Sequence, residues 1–177
     1  MWLYNTLDVV STIVEAIIFY VITLCFCKNC RFQKTISRIL PPVIYAISII
    51  IFTFCVDIGA YRIFILLALM IGLTLFFYKV SLHSTLIVME LTYLLSVPLS
   101  ESVGIAIMSL IYQGDTMAQV DGTSILRWQI YVFIILLKAL YAVIAYRLLK
   151  NFKYEIKPKD TAILSISFLF VFCVSFA

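Results

Sequence analysis

Long apolar runs broken by a few short polar connections constrain this chain more than any other feature. Of its 177 residues, 64% are hydrophobic and 12% charged, against roughly 45–50% and 25% in a globular domain. A soluble core cannot bury so much apolar surface, whereas a bilayer acts as solvent for it. The runs cover residues 7–27, 41–56, 63–78, 85–112, 128–147 and 161–177, most of them near the roughly 20 residues that a helix needs to cross the hydrocarbon. The sequence therefore predicts an all-α, polytopic membrane helix bundle of about six transmembrane helices, with residues 1–177 forming one domain.

Punctuation between the runs sets expected boundaries. Before Lys28 there is no Lys or Arg, and Glu15 interrupts the first run, so this run is retained as a helix and is not a cleaved signal peptide. Pro41 and Pro42 are expected to open the second span, because a first helical turn tolerates a missing N–H. The fourth run is longer than one crossing requires, which predicts a tilt, a projection beyond the headgroups or a kink at Pro98. Residues 113–127 form the only extended polar loop, and Trp128 opens the fifth span at an interfacial position.

Charge asymmetry predicts the orientation. Lys28, Arg31, Lys34, Arg38, Lys79, Arg147, Lys150, Lys153, Lys157 and Lys159 lie in connections 1–2, 3–4 and 5–6, while the opposite side carries Arg62 and Arg127. Ten basic residues against two put the basic loops in the cytoplasm and the N-terminus outside by the positive-inside rule.

Three ionisable residues fall inside the expected spans: Glu15, Glu90 and Lys138. A charge near the bilayer centre costs at least a few kcal/mol, so each should face the bundle interior and find a partner. At ~1.5 Å per residue from the cytoplasmic ends, Lys138 lies ~13 Å deep, Glu90 ~9 Å and Glu15 ~18 Å, so the lysine is expected to pair with one of the two carboxylates. Such a pair suits a structural tie, a coupling element or a proton relay. Glu90 and Glu101 stand eleven residues apart, nearly the same face of a continuous helix. Two carboxylates on one stripe would line a water-filled path or an outward-facing pocket, unless Glu101 is simply solvated at the outer interface.

Other chemistry has little support in the sequence. Cys27 and Cys30 have a C-x-x-C spacing, but there is no second pair and the single histidine, His83, lies in another loop; small apolar residues facing a reducing cytosol describe the cysteines better. No nucleotide-binding glycine pattern, zinc-protease helix or catalytic triad can be assembled, so no catalytic residue, metal or cofactor is expected. The basic loops lack interleaved aromatics, which argues against nucleic acid as a partner.

The short-looped aliphatic spans, outside N-terminus, basic inner loops and single modest outer loop resemble the membrane sensor region of bacterial peptide-pheromone receptor histidine kinases of the AgrC type. The exit Tyr146-Arg147-Leu148-Leu149-Lys150, followed by Lys153 and Lys157, is similar to segments of that family. The resemblance covers the whole chain but rests on layout, since such regions have no sharp motif. It implies a receptor in a bacterial plasma membrane that detects a small extracellular ligand such as a cyclic peptide. It also implies a homodimer of the full-length protein and a cytoplasmic histidine-kinase module of a two-component, quorum-sensing system, which these residues do not contain. Six crossings would end the chain outside, so the natural protein is expected to continue past Ala177 and cross once more. Under this reading Glu101, Tyr112, Asp115, Asp121 and Trp128, at the outer ends of spans four and five, are the expected ligand contacts, and Glu15, Glu90 and Lys138 the coupling residues. The rival is a transporter, or its substrate-binding subunit, in which intramembrane Glu and Lys residues form the path. A scaffold or assembly subunit is a third possibility.

Overall fold

The first run folds as α1 (Trp2–Phe26) and the second as α2 (Lys34–Phe54), which packs back along it in a computed structural model that describes residues 2–55, 61–113, 116–120, 123–150 and 165–166. Next come α3 (Tyr61–Phe77), α4 (Leu82–Ser96) and α5 (Pro98–Ile111), then a hairpin of β1 (Met117–Val120) and β2 (Thr123–Leu126), and finally α6 (Trp128–Leu149). Helix α1 is central, packed against α2, α4 and α6; α3 lies on α2 and α4, and α5 on α6. Among the described residues, four helical segments are long and apolar enough to cross a membrane: α1, α2, α4 with α5, and α6. At 17 residues, α3 spans about 26 Å at ~1.5 Å per residue, short of the ~30 Å hydrocarbon.

Several boundaries differ from expectation. Helix α2 begins at Lys34, so Pro41 and Pro42 lie inside it and not at its start. Each proline deletes only the bond it would have donated four residues back, and the turns before it remain helical where the surroundings tolerate the freed carbonyls. Of the three outcomes open to the long fourth run, the structure takes the break at Pro98. Val97 takes φ −116° and ψ −79°, dividing the long fourth run into α4 and α5, with Pro98 at the first position of α5. Around the break the hydroxyls of Ser96 and Ser100 donate to the carbonyls of Tyr93 and Ser96, at 3.3 and 2.8 Å. Within the 113–127 segment, expected as a polar loop, two short strands form. Beyond the C-terminus of α5, where Gln113 adopts φ 51°, strands β1 and β2 pair antiparallel from Met117↔Leu126 to Val120↔Thr123. Asp121-Gly122 between two four-residue runs is a recognisable hairpin signal. Residues 161–177, apart from Ser165 and Ile166, lie outside the described residues, as do 56–60.

The interior reverses the pattern of a soluble protein. Large side chains such as Ile17, Ile47, Leu136 and Val143 are exposed around the perimeter, while Thr23, Thr74, Thr92 and Ser100 are fully buried. The buried hydroxyls donate to carbonyls three or four residues back in their own helices, for example Thr92 to Val88 at 2.7 Å and Thr74 to Met70 at 2.8 Å. An apolar core centred on Phe19, Tyr45, Met70, Tyr78 and Val88 joins α1 to α4, with the Phe19 and Tyr45 rings 5.3 Å apart. A smaller cluster of Met108, Ile130 and Ile134 joins α5 to α6.

The two ends of the bundle differ in character. At one end the loops after α1 and α3 are clasped: Arg31 N–H donates to Phe77 O at 2.9 Å and Lys79 N–H to Asn29 O at 2.8 Å. The Arg31 side chain adds a bond to Tyr78 O at 3.1 Å. Lys28, Arg31, Lys34 and Lys79 therefore share this end with Arg147 and Lys150 at the close of α6. The hairpin and the N-termini of α1, α3 and α6 mark the other end.

Candidate functional site

Helix α1 carries Asp8, Ser11, Thr12 and Glu15, the i, i+3, i+4, i+7 spacing of one helical face. That polar stripe in an apolar span turns inward toward α6, where Tyr131 and Lys138 are also seven residues apart. The two helices run parallel and meet along these rows. The hydroxyl of Tyr131 donates to Asp8 Oδ1. Two turns deeper, Lys138 Nζ lies 2.6 Å from Glu15 Oε1 and donates to Ser11 Oγ at 3.0 Å. Lys138 is only 2% exposed, so its partner is a requirement of burial.

These side chains border a cavity of about 430 Å³ that runs from the middle of the bundle toward the hairpin end. Helix α1 contributes Asp8, Ser11, Thr12 and Glu15, and α6 contributes Tyr131 and Lys138. Opposite them are Tyr45, Ile49 and Thr53 of α2 and an aliphatic wall of Ile63, Leu66 and Leu67 from α3. Tyr93, Ser96, Val97 and Glu101 close it, so the helix break at Val97–Pro98 lies in the cavity wall. A second cavity of about 160 Å³ adjoins it, sharing Ser11, Glu101, Tyr131 and Lys138 and reaching Leu126 at the foot of the hairpin. Among the described residues no cluster of three His, Cys, Asp or Glu side chains is placed to hold a metal ion.

The expected site residues separate into groups. Lys138 pairs with Glu15, the first of its two expected partners, and not with Glu90. Glu90 is 2% exposed; its Oε1 accepts from Ser165 at 2.6 Å, and its Oε2 is buried without a hydrogen bond. The single stripe expected for Glu90 and Glu101 is also interrupted, because the break at Val97 resets the helical phase between them. Glu101 lies in the first turn of α5, partly open to solvent yet lining both cavities near Lys138. Tyr112 and Trp128 stand at the hairpin end, away from that wall. Tyr112 packs on the Met108–Ile130–Ile134 cluster under the Arg127 guanidinium, 5.4 Å from the ring centre. Trp128 is exposed at the start of α6, and Asp115 and Asp121 lie outside the described residues.

Sequence reasoning missed Asp8, Ser11, Thr12, Tyr45, Tyr93 and Tyr131. The heptad-spaced polar stripe of α1 was a legible signal for the first three. The tyrosines had none, since an aromatic residue in a span reads equally well as core or as interface. Of the C-x-x-C cysteines, Cys27 is buried and Cys30 half-buried, both as free thiols. Comparison with protein-family models, with curated proteins and with solved structures finds no match.

Proposed function

We propose that this chain is the membrane sensor domain of a receptor. It takes a small extracellular ligand into the cavity bounded by α1, α2, α3, α4–α5 and α6, and reports occupancy through the α1–α6 contact. One observation carries the proposal: the polar groups lining the cavity run from mid-bundle, at Glu15, Tyr93 and Lys138, to the hairpin end, at Asp8 and Thr53, and among the described lining residues the one lysine, Lys138, bridges α1 and α6. Under the orientation that the basic loops imply, the hairpin end of this cavity faces outward. A ligand that altered the Lys138–Glu15 contact would bias how α1 and α6 pack, and differential contact with two packings is what a receptor needs. The receptor-kinase resemblance adds the expectation of a peptide signal, a dimeric full-length protein and a downstream kinase module.

A transporter is the second reading, favoured by the helix broken at Val97–Pro98 beside Glu101. Discontinuous helices near the membrane midplane commonly frame transport sites. Cysteine accessibility tests the receptor proposal. In a variant lacking the natural cysteines, Ser96→Cys and Thr53→Cys should react with a small membrane-impermeant thiol reagent added outside intact cells, while lipid-facing Ile17→Cys should not. If Ser96→Cys and Thr53→Cys resist, the cavity is closed to the outside and the proposal falls. If Ser96→Cys reacts equally from both faces of inverted and right-side-out vesicles, the transporter reading replaces it.

A further inference from the structure

We infer that the ligand of this cavity is an organic ammonium, an apolar body bearing one cationic amine, with Glu101 as the carboxylate that holds the amine. The inference rests on the proposal that the cavity is a ligand site and adds the chemistry of what enters it. Among the described residues, three carboxyl groups line the larger cavity, Asp8, Glu15 and Glu101, against the single ammonium of Lys138. Two are already engaged: Glu15 by Lys138 at 2.6 Å and Asp8 by the Tyr131 hydroxyl. Glu101 has no such partner among the described residues, and the Lys138 ammonium already touches Glu15 and Ser11.

The rest of the lining decides between kinds of cation. Among the described residues these carboxyl groups do not form a cluster of three placed to hold a metal ion. They are accompanied instead by three tyrosines, Tyr45, Tyr93 and Tyr131, and by the aliphatic wall of α3. Carboxylate, aromatic rings and an apolar wall together form the usual setting for an alkylammonium, whose charge is attracted to ring faces while its carbon body is desolvated. An anionic ligand would meet three carboxyl groups with its only available cation already committed. The ammonium can come from a small amine or from a peptide's free amino group, and the probes below separate the two.

The full chain, purified into lipid nanodiscs, is titrated with 2-phenylethylamine, the neutral 2-phenylethanol and the anionic 3-phenylpropionate. A parallel titration uses the peptide Phe-Leu-Phe with a free or an acetylated N-terminus. The amine should bind, with the alcohol and the acid weaker by about tenfold or more, as expected for loss of a charge-assisted contact. Glu101→Gln should abolish that preference while leaving thermal stability unchanged. As a readout independent of that variant, the amine should slow reagent attack on Ser96→Cys and the alcohol should not. Protection by the free peptide but not by 2-phenylethylamine assigns the ammonium to a peptide. Equal or tighter binding of the acid, an amine preference that survives Glu101→Gln, or no binding by any probe overturns the inference. Where Ser96→Cys still reacts from outside, such a result leaves the receptor proposal standing, whereas a closed cavity removes both.

Discussion

Lys138 holds a demanding position, a cation 2% exposed inside a span. A long basic side chain in a span survives only where a carboxylate and further hydrogen bonds compensate its desolvation, and Glu15 with Ser11 supply them. Removing one member of a buried pair leaves the other uncompensated, so Lys138→Met should cost about 3–5 kcal/mol. In detergent this appears as a marked fall in the thermal midpoint. Adding Glu15→Gln should recover part of the loss; adding Glu90→Gln should recover none, because Glu90 meets Ser165 instead. Recovery by Glu90→Gln alone would show that the two carboxylates had exchanged roles. That a lysine here needs a carboxylate follows from solvation and could be read in the sequence. Choosing Glu15 over Glu90 required the azimuth of α4 relative to α6, which no count of depth along the chain supplies.

Among the helices, the approach of α5 to α6 is set by Gly104. A Cβ built there would lie 2.6 Å from Ile134 Cγ1 and 3.5 Å from Leu137 Cδ1, so glycine permits the contact that seats Glu101 beside Lys138. Ile134 is β-branched and has little rotamer freedom in a helix. Gly104→Ala should therefore push the helices apart at a cost of about 1–3 kcal/mol, typical of overpacking. Combining it with Ile134→Ala should give a double variant more stable than the sum of the separate losses, measured by thermal unfolding in detergent. Strict additivity would mean that the two positions do not touch. Pro98, visible in the sequence, marks the break about two turns before this contact, but the sequence carries no sign of which helix Gly104 would face.

The whole molecule has one polar half and one basic end, and its orientation in a bilayer follows from that asymmetry. Cysteines introduced singly in a cysteine-free variant at Thr116, beside the hairpin, and at Lys79, in the clasped basic loop, should label oppositely. In intact cells a membrane-impermeant reagent should reach the first and spare the second, and labelling of Lys79→Cys alone would invert the bundle. By itself the sequence determined the apolar, membrane-compatible spans, the helical class, Pro98 as a candidate break and the clustering of basic loops. Each of these depends on local composition or on spacing along one chain segment. Tertiary structure alone decided that α1 is the central helix, that its polar stripe turns toward α6, and that Glu15, Glu101 and Lys138 border one cavity while Glu90 does not. Such relations depend on how helices rotate about their axes as they pack. In an apolar span nearly every rotation buries similar surface, so only the few polar side chains that must find partners select one.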